Sequence, residues 1–286
     1  MASSRERNDA RKGWKSAPRT PSKHELRPEA RPEAKTPSRP RGERRGGPPA
    51  DDWLWGWHAV EAALANPRRG PPVRLAATPD RARQLESRFG PLKALELHDS
   101  HRIGLMLPQG AVHQGVALRP AALEDSDLSD FDVRPGAVLL MLDQVTDPQN
   151  VGAILRSAAA FGVTGVILQD RNAPKLTGAL AKAAAGAVEK TPIARVVNLS
   201  RALEELSRLG WRSVGLAGES ERTLDAALDG SPTVLVMGSE GDGLRRLVAE
   251  HCDELAKIPM PGGFESLNVS AAAAIALYEA ARPRER

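Results

Sequence analysis

The sequence predicts an α/β protein built on a largely parallel sheet, preceded by a smaller α/β unit and a basic, unstructured tail. Three observations carry this. Hydrophobic residues make up 41% of the 286 residues, enough for a sizeable core, yet the first fifty contain almost none. From Gly136 onward, short apolar runs alternate with helix-length segments, the pattern of a parallel sheet covered on both faces. Three of those runs end in loops too irregular to be plain connections.

Residues 1–50 are rich in Pro, Arg, Lys and Ser and show no apolar periodicity, so they are expected to be disordered. They hold fourteen Lys/Arg and six Asp/Glu, a net +8 in a chain of net +4, which leaves −4 on the remainder. A basic tail on a mildly acidic body suits non-specific affinity for phosphates; it equally suits a solvated extension that aids solubility. The acids Glu6, Asp9, Glu25, Glu29, Glu33 and Glu43 argue against a mitochondrial leader, and no apolar stretch resembles a secretory signal. No run approaches the roughly 18 apolar residues of a membrane span, so a cytoplasmic protein without membrane partners is expected. The single Cys252 excludes an internal disulfide and a Cys-cluster metal site, and the six His are scattered. No metal is expected.

Order should begin at Asp51, and residues 51–122 read as the smaller unit. It runs as helix 58–65, strand 73–77, helix 79–88, strand 94–97, helix 100–107 and strand 115–119. Trp53, Trp55 and Trp57 alternate at period 2, which places them on one side of a strand as core. Residues 123–135 read as a linker. The larger unit, 136–286, starts with the apolar strand 137–142, buried on both faces. It continues as helix 150–161, strand 165–168, helix 175–187, strand 193–197 and helix 200–209. Strand 213–216, helix 224–228, strand 233–237, helix 244–250, a strand near 255–258 and a closing helix 268–281 complete it. No internal repeat is visible.

Three segments carry the chemistry, each just after a predicted strand, where open α/β sheets bind ligands. The first runs from Leu142 to Arg156: a polar turn with Pro148, then Asn150 at a helix N-cap position, then Arg156 inside an otherwise apolar helix. That arginine suits an RNA phosphate; it also suits a snorkelling or ion-paired role. The second is the turn Gly238-Ser239-Glu240-Gly241-Asp242-Gly243. It is neither a dinucleotide fingerprint nor a P-loop, and Glu240 would repel phosphate, so a ligand without phosphates fits better. The third is Ile258-Pro259-Met260-Pro261-Gly262-Gly263, followed by Ser266-Leu267-Asn268 opening an Ala-rich helix. Singly, each is also explained as a tight turn or a helix cap.

In order and spacing, the three together resemble motifs 1, 2 and 3 of the SpoU/TrmH family of RNA ribose 2′-O-methyltransferases, of the SPOUT superfamily. The matching residues are Asn150-Val151-Gly152 with Arg156, Gly238-Ser239-Glu240-Gly241 with Gly243-Leu244, and Ser266-Leu267-Asn268-Val269-Ser270. The resemblance covers about 136 to the C-terminus. Residues 51–122 also resemble the family's auxiliary RNA-binding domain of ribosomal-protein L30e type, through Gly56-Trp57-His58-Ala59-Val60 and His113-Gln114-Gly115-Val116. The layout resembles most the branch that modifies a guanosine of 23S rRNA.

The resemblance implies a deep C-terminal trefoil knot, a homodimer with the site near its interface, and S-adenosylmethionine as methyl donor. On that reading Gly238, Ile258, Met260, Ser266, Leu267 and Asn268 contact the cofactor. Asn150, Arg156, Glu240 and Asn268 serve catalysis, with Glu240 holding Arg156 or Asn150 and Asn268 orienting the nucleophile. Arg156 is the family's proposed base, but a guanidinium keeps its proton up to a pKa above about 12, so a clamp on phosphate and hydroxyl is the first expectation. A sulfonium loses its charge on transfer, so the chemistry requires no metal. His58 and His113 are expected as local caps more than RNA contacts; Arg68-Arg69 and Arg245-Arg246 are candidate phosphate contacts. Two other readings stay open: methylation of tRNA, and a non-catalytic RNA-binding or ribosome-assembly factor on the same scaffold.

Overall fold

The computed structural model describes residues 52–171, 173–263 and 266–282. The expected disordered tail, 1–50, and residues 264–265 of the third segment lie outside the described residues.

The chain first builds β1 (Leu54–Trp55), α1 (Trp57–Ala65), β2 (Arg74–Ala77), α2 (Pro79–Phe89), β3 (Leu95–Leu97), α3 (Ser100–Gly104) and β4 (Val116–Arg119). These strands make a four-stranded sheet in the order β1-β4-β2-β3. Only β2 and β3 are parallel. The expected tryptophan row is corrected here. Gly56 turns at φ 86, a conformation that favours glycine, and this ends β1 and starts α1 at Trp57. Trp53 and Trp55 therefore share one buried cluster, while Trp57 packs against the other.

Residues 123–135 are more ordered than a plain linker. A one-turn helix at Leu128–Asp130, with a capping box from Asp127, buries Leu128 and Phe131. Phe131 lies against Gly165, where a Cβ would stand 2.2 Å from its ring.

The larger half comprises β5 (Val138–Leu142), α4 (Pro148–Ala160), β6 (Gly165–Gln169), α5 (Gly178–Ala184), β7 (Ile193–Val196) and α6 (Leu199–Leu209). β8 (Arg212–Leu216), α7 (Leu224–Ala227), β9 (Thr233–Met237), α8 (Arg246–Glu250), β10 (Glu254–Ala256) and α9 (Val269–Ala281) follow. The six strands are all parallel, in the order β10-β8-β9-β5-β6-β7. Alternate residues supply the two faces. Leu140, Leu142, Val166, Leu168, Leu235 and Met237 join the core under α4, α5, α7 and α9, and Leu139, Met141, Ile167, Val234 and Val236 the core under α6. The expected helix 175–187 is shorter, because Ala185 and Gly186 take left-handed conformations at φ 49 and 88. A separate turn of helix, Ala187–Glu189, follows.

The two sheets are docked through α5 and that turn. Gly178 N donates to Trp53 O (2.9 Å), and Ala181 belongs to the core of the four-stranded sheet. Arg69 meets Glu189 with both carboxylate oxygens engaged (2.7 and 2.8 Å), and Asn66 Nδ2 adds a third bond at 2.8 Å. Among the described residues, no helix is long and apolar enough to cross a membrane.

Candidate functional site

The sheet order fixes where a site can form. From β5 the chain moves outward through β6 and β7; from β9 it moves the other way, to β10. The loops after these adjacent strands diverge, which opens a crevice at the carboxyl ends of the strands. The first and second segments of the sequence are these two loops.

A buried carboxylate ties them together. Asp143, directly after β5, is fully buried and accepts from the backbone N (2.9 Å) and Nε (2.7 Å) of Arg245, at the far end of the second loop. Sequence reasoning gave Asp143 no role. The signal was there, since a charge directly continues a five-residue apolar strand and must be satisfied where it is buried.

The start of α4 differs from expectation. Asp147, not Asn150, is the N-cap; its side chain accepts from Asn150 N at 2.7 Å, and Pro148 occupies the first turn. Asp caps as well as Asn, and proline at that position gives up an N–H that the helix would leave unpaired. The Asn150 side chain is thereby free for tertiary contact. Gly152 sits one residue further from the cap than Val151 and lets α4 meet α5: a Cβ there would lie 2.6 Å from Ala183 Cβ and from Leu180 O.

The second loop closes on itself. Ser239 and Gly243 exchange backbone bonds of 3.1 Å in each direction, with Gly241 and Gly243 at positive φ. Gly238 is packed against this turn, and a Cβ on it would stand 2.1 Å from the carbonyl carbon of Gly243. No other residue fits there.

Asn268 joins the three segments. As the N-cap of α9, its Oδ1 accepts from Ser270 N (3.0 Å) and Ser270 Oγ (2.6 Å). That fixes which end of the amide is oxygen, so Nδ2 must face the other way. There it donates to Asn150 Oδ1 (3.1 Å) and Glu240 Oε2 (3.2 Å).

Beside this junction lies a cavity of about 360 Å³. Gly238, Ile258, Met260, Ser266 and Leu267 line it, with Glu240 at its wall. Asn268 stands next to lining residue Leu267 but is not itself in the lining. Arg156 is not in the junction: it is exposed on α4, with no hydrogen-bond or ion-pair partner among the described residues. The expected Glu240–Arg156 or Glu240–Asn150 contact is replaced by Glu240–Asn268.

Other candidates resolve into structure. His113 Nδ1 accepts from Gly115 N (3.1 Å), and burial lowers its pKa. His58 is exposed. Arg69 is consumed by Glu189 and Arg245 by Asp143, while Arg246 pairs with Glu250. The Cys252 thiol donates to Val248 O at 3.3 Å, and burial pushes its pKa up to about 12, which makes it an unreactive packing group.

Residues 137–278 match the SpoU rRNA Methylase family. The 23S rRNA (guanosine-2′-O-)-methyltransferase RlmB of Vibrio vulnificus is 41% identical over 252 residues, covering 82% of this chain and 98% of that one. Its namesake from Xylella fastidiosa strain Temecula1 is 51% identical over 180 residues, 61% of this chain and 72% of the relative. Among solved structures, an AdoMet-bound rRNA methyltransferase from Sinorhizobium meliloti superposes with a TM-score of 0.68 at 27% identity, covering 80% of this chain and 85% of that one. The SpoU methyltransferase AviRb from Streptomyces viridochromogenes, solved with AdoMet, shares the fold with a TM-score of 0.69 at 24% identity, over 80% of this chain and 88% of that one.

Proposed function

The chain belongs to the SpoU rRNA methylase family, and from that premise we propose that it transfers a methyl group from S-adenosylmethionine to the ribose 2′-hydroxyl of a guanosine in 23S rRNA. The observation that carries the reading is the Asn268 amide, which gathers Asn150 and Glu240 beside the glycine-walled cavity. Chain-spanning relatives bear that activity in their names.

The cavity fits such a cofactor. Ile258, Met260 and Leu267 give apolar surface for a nucleoside, and Gly218, Gly238, Gly241 and Gly243 leave main chain open to close approach. S-adenosylmethionine, when bound there, supplies a methyl group activated by the sulfonium. The chain's own residues must then position a weak nucleophile and guide its proton. Asn268 is locked by Ser270 and cannot flip, so its amide presents a fixed donor edge to Asn150 and Glu240. Asn150 offers a neutral acceptor at the first turn of α4, and Glu240 offers a negative charge. Arg156 acts as a clamp on phosphate and hydroxyl, because a guanidinium holds its proton at neutral pH.

The finer organisation is part of the same proposal. Residues 51–122 act as an L30e-like RNA-binding domain, joined through 123–135 to a catalytic domain, 136–286, whose C-terminal chain forms the trefoil knot. The return of α9 to cap itself against the loops after β5 and β9 supports that threading. The protein works in the cytoplasm as a homodimer. The exposed Phe161–Tyr278 edge-to-face pair, at the C-cap of α4 and on α9, with Ile275 also exposed, supports a second copy on this side.

The test is ribose-methylation mapping of rRNA and tRNA from cells lacking the protein. Loss of one 2′-O-methylguanosine from 23S rRNA, restored by wild type and not by Arg156→Ala, is expected. Loss of a tRNA mark would move the substrate, and no lost mark would leave an RNA-binding factor.

A further inference from the structure

A second and larger cavity, about 670 Å³, lies between the two sheets. One wall comes from the four-stranded sheet and its loops, with Trp55 and Val112; the other comes from Pro148, Gln149, Lys175 and Lys182. We propose that this cleft holds the unpaired nucleotides that adjoin the target ribose, with the Lys182 ammonium on their phosphate and a base against Val112. The proposal rests on the methyltransferase reading above and goes further by giving the RNA a path.

Three observations support it. First, the position: Gln149 lines the cleft and Asn150, the next residue, touches Asn268, while Glu240 on the other side of that bond walls the smaller cavity. The junction thus separates the two cavities, and a ribose presented to it from the cleft meets whatever lies in the smaller one. Second, the charge: the lining contains two lysines and no carboxylate. Lys175 is already paired with Asp52 at 3.1 Å. Lys182 has no ion-pair partner among the described residues; it lies over the β1–α1 turn, where a Cβ at Gly56 would stand 2.5 Å from its Nζ. Third, the surface: Val112 is 67% exposed, an apolar side chain left open beside cationic groups. The ammonium suits a backbone phosphate, and the open apolar side chain beside it gives an unstacked base a surface to lie on. The docking by Arg69 and Glu189 means the cleft is built before RNA arrives.

The experiment measures binding of a labelled, unmodified 23S rRNA transcript to the full chain across a salt series, with S-adenosylmethionine affinity measured by calorimetry on the same samples. Lys182→Ala should weaken RNA binding about tenfold and reduce the slope of log affinity against log salt by about 0.7, as expected for one lost contact to single-stranded phosphate. Val112→Glu, on an exposed loop away from the docking contacts, should weaken RNA binding by at least as much through repulsion. Both should keep wild-type S-adenosylmethionine affinity. Unchanged RNA affinity and salt slope in either variant, with wild-type S-adenosylmethionine affinity, would overturn the cleft. Methyl transfer by the wild-type samples reads out the enzyme separately: cleft-dependent binding without transfer would remove the reaction and keep the cleft.

Discussion

Asn268 Nδ2 lies 3.1 Å from Asn150 Oδ1, across 118 residues of sequence. The same nitrogen reaches Glu240, and the oxygen of the same amide is held by Ser270. One side chain therefore caps a helix and sets the spacing of the other two. Asn268→Asp keeps the cap, since a carboxylate accepts from Ser270 as well as an amide does. It loses the donor and places a second negative charge beside Glu240. Misplacement of about 1 Å at a reacting centre can cost on the order of 100-fold. The expected result is a kcat lower by about that factor with the thermal midpoint nearly unchanged, read by steady-state transfer of labelled methyl to RNA. Wild-type kcat would show that the junction does not position the nucleophile.

Asp143 and Arg245 hold the loop that walls the smaller cavity, yet neither is among the residues lining it. Hydrogen bonds to charged groups contribute about 1.5–3 kcal/mol each. Asp143→Ala should loosen the turn from Gly238 to Gly243 and weaken S-adenosylmethionine binding by about tenfold or more. Asp143→Asn retains one acceptor and should lose less. Calorimetric titration of both variants gives the comparison; equal affinity in all three proteins would make the pair a local ornament of the fold.

The Arg69–Glu189 pair is buried on both partners, at 5% and 4% side-chain exposure. Removing one member of such a pair leaves a charge without a partner and costs about 3–5 kcal/mol. Glu189→Ala strands Arg69 and also the Asn66 donor, so the docking of the two sheets should loosen. Hydrogen exchange should then rise in β1 and α5 before it rises in β5 or β9. Replacing Arg69 by Met together with Glu189→Leu removes both charges and should recover much of the loss.

Gly152 is the contact between α4 and α5. With a Cβ position 2.6 Å from two atoms of the neighbouring helix, Gly152→Ala should destabilise despite the better helix propensity of alanine. Overpacking typically costs about 1–3 kcal/mol. Urea unfolding decides the sign, since propensity alone predicts stabilisation by about 1 kcal/mol.

The sequence made the alternation of strands and helices legible because most strands are short, apolar and bounded by Gly, Pro or Asn; every expected strand is present within one or two residues. It was less informative where one residue could serve two local roles. Asp147 and Asn150 are equally good caps, and only Pro148 between them settles the choice. The Trp53–Trp57 row reads as a strand until Gly56 is allowed a positive φ. The lining of the smaller cavity was legible through the motifs, whereas the Asp143–Arg245 and Arg69–Glu189 pairs were not, because ion pairs 102 and 120 residues apart leave no local pattern. Arg156 had a conspicuous position in an apolar helix, but exposure on α4 is what the structure gives it.

Acid should act on the four-stranded sheet through two groups. His113 accepts the Gly115 N–H through Nδ1 and is partly buried, so its folded pKa lies below the ordinary 6.5. As pH falls through 6.5, the unfolded chain takes up a proton that the folded one refuses, so stability falls, and the decline levels off below the folded pKa. Glu96, held by hydrogen bonds from Arg74 and His98, has its pKa lowered from 4.5 to about 2. Its contribution is complete above 4.5 and is lost as pH falls toward 2. The Arg74–Glu96 pair is 43% and 40% exposed, so salt should shrink this second effect, while the first, which comes from desolvation, should persist. His113→Asn keeps an acceptor for Gly115 and does not titrate. Urea midpoints measured from pH 8 to pH 5 should slope downward for the wild type and be flatter for His113→Asn; identical slopes would show that His113 protonates as freely in the folded protein as in the unfolded chain.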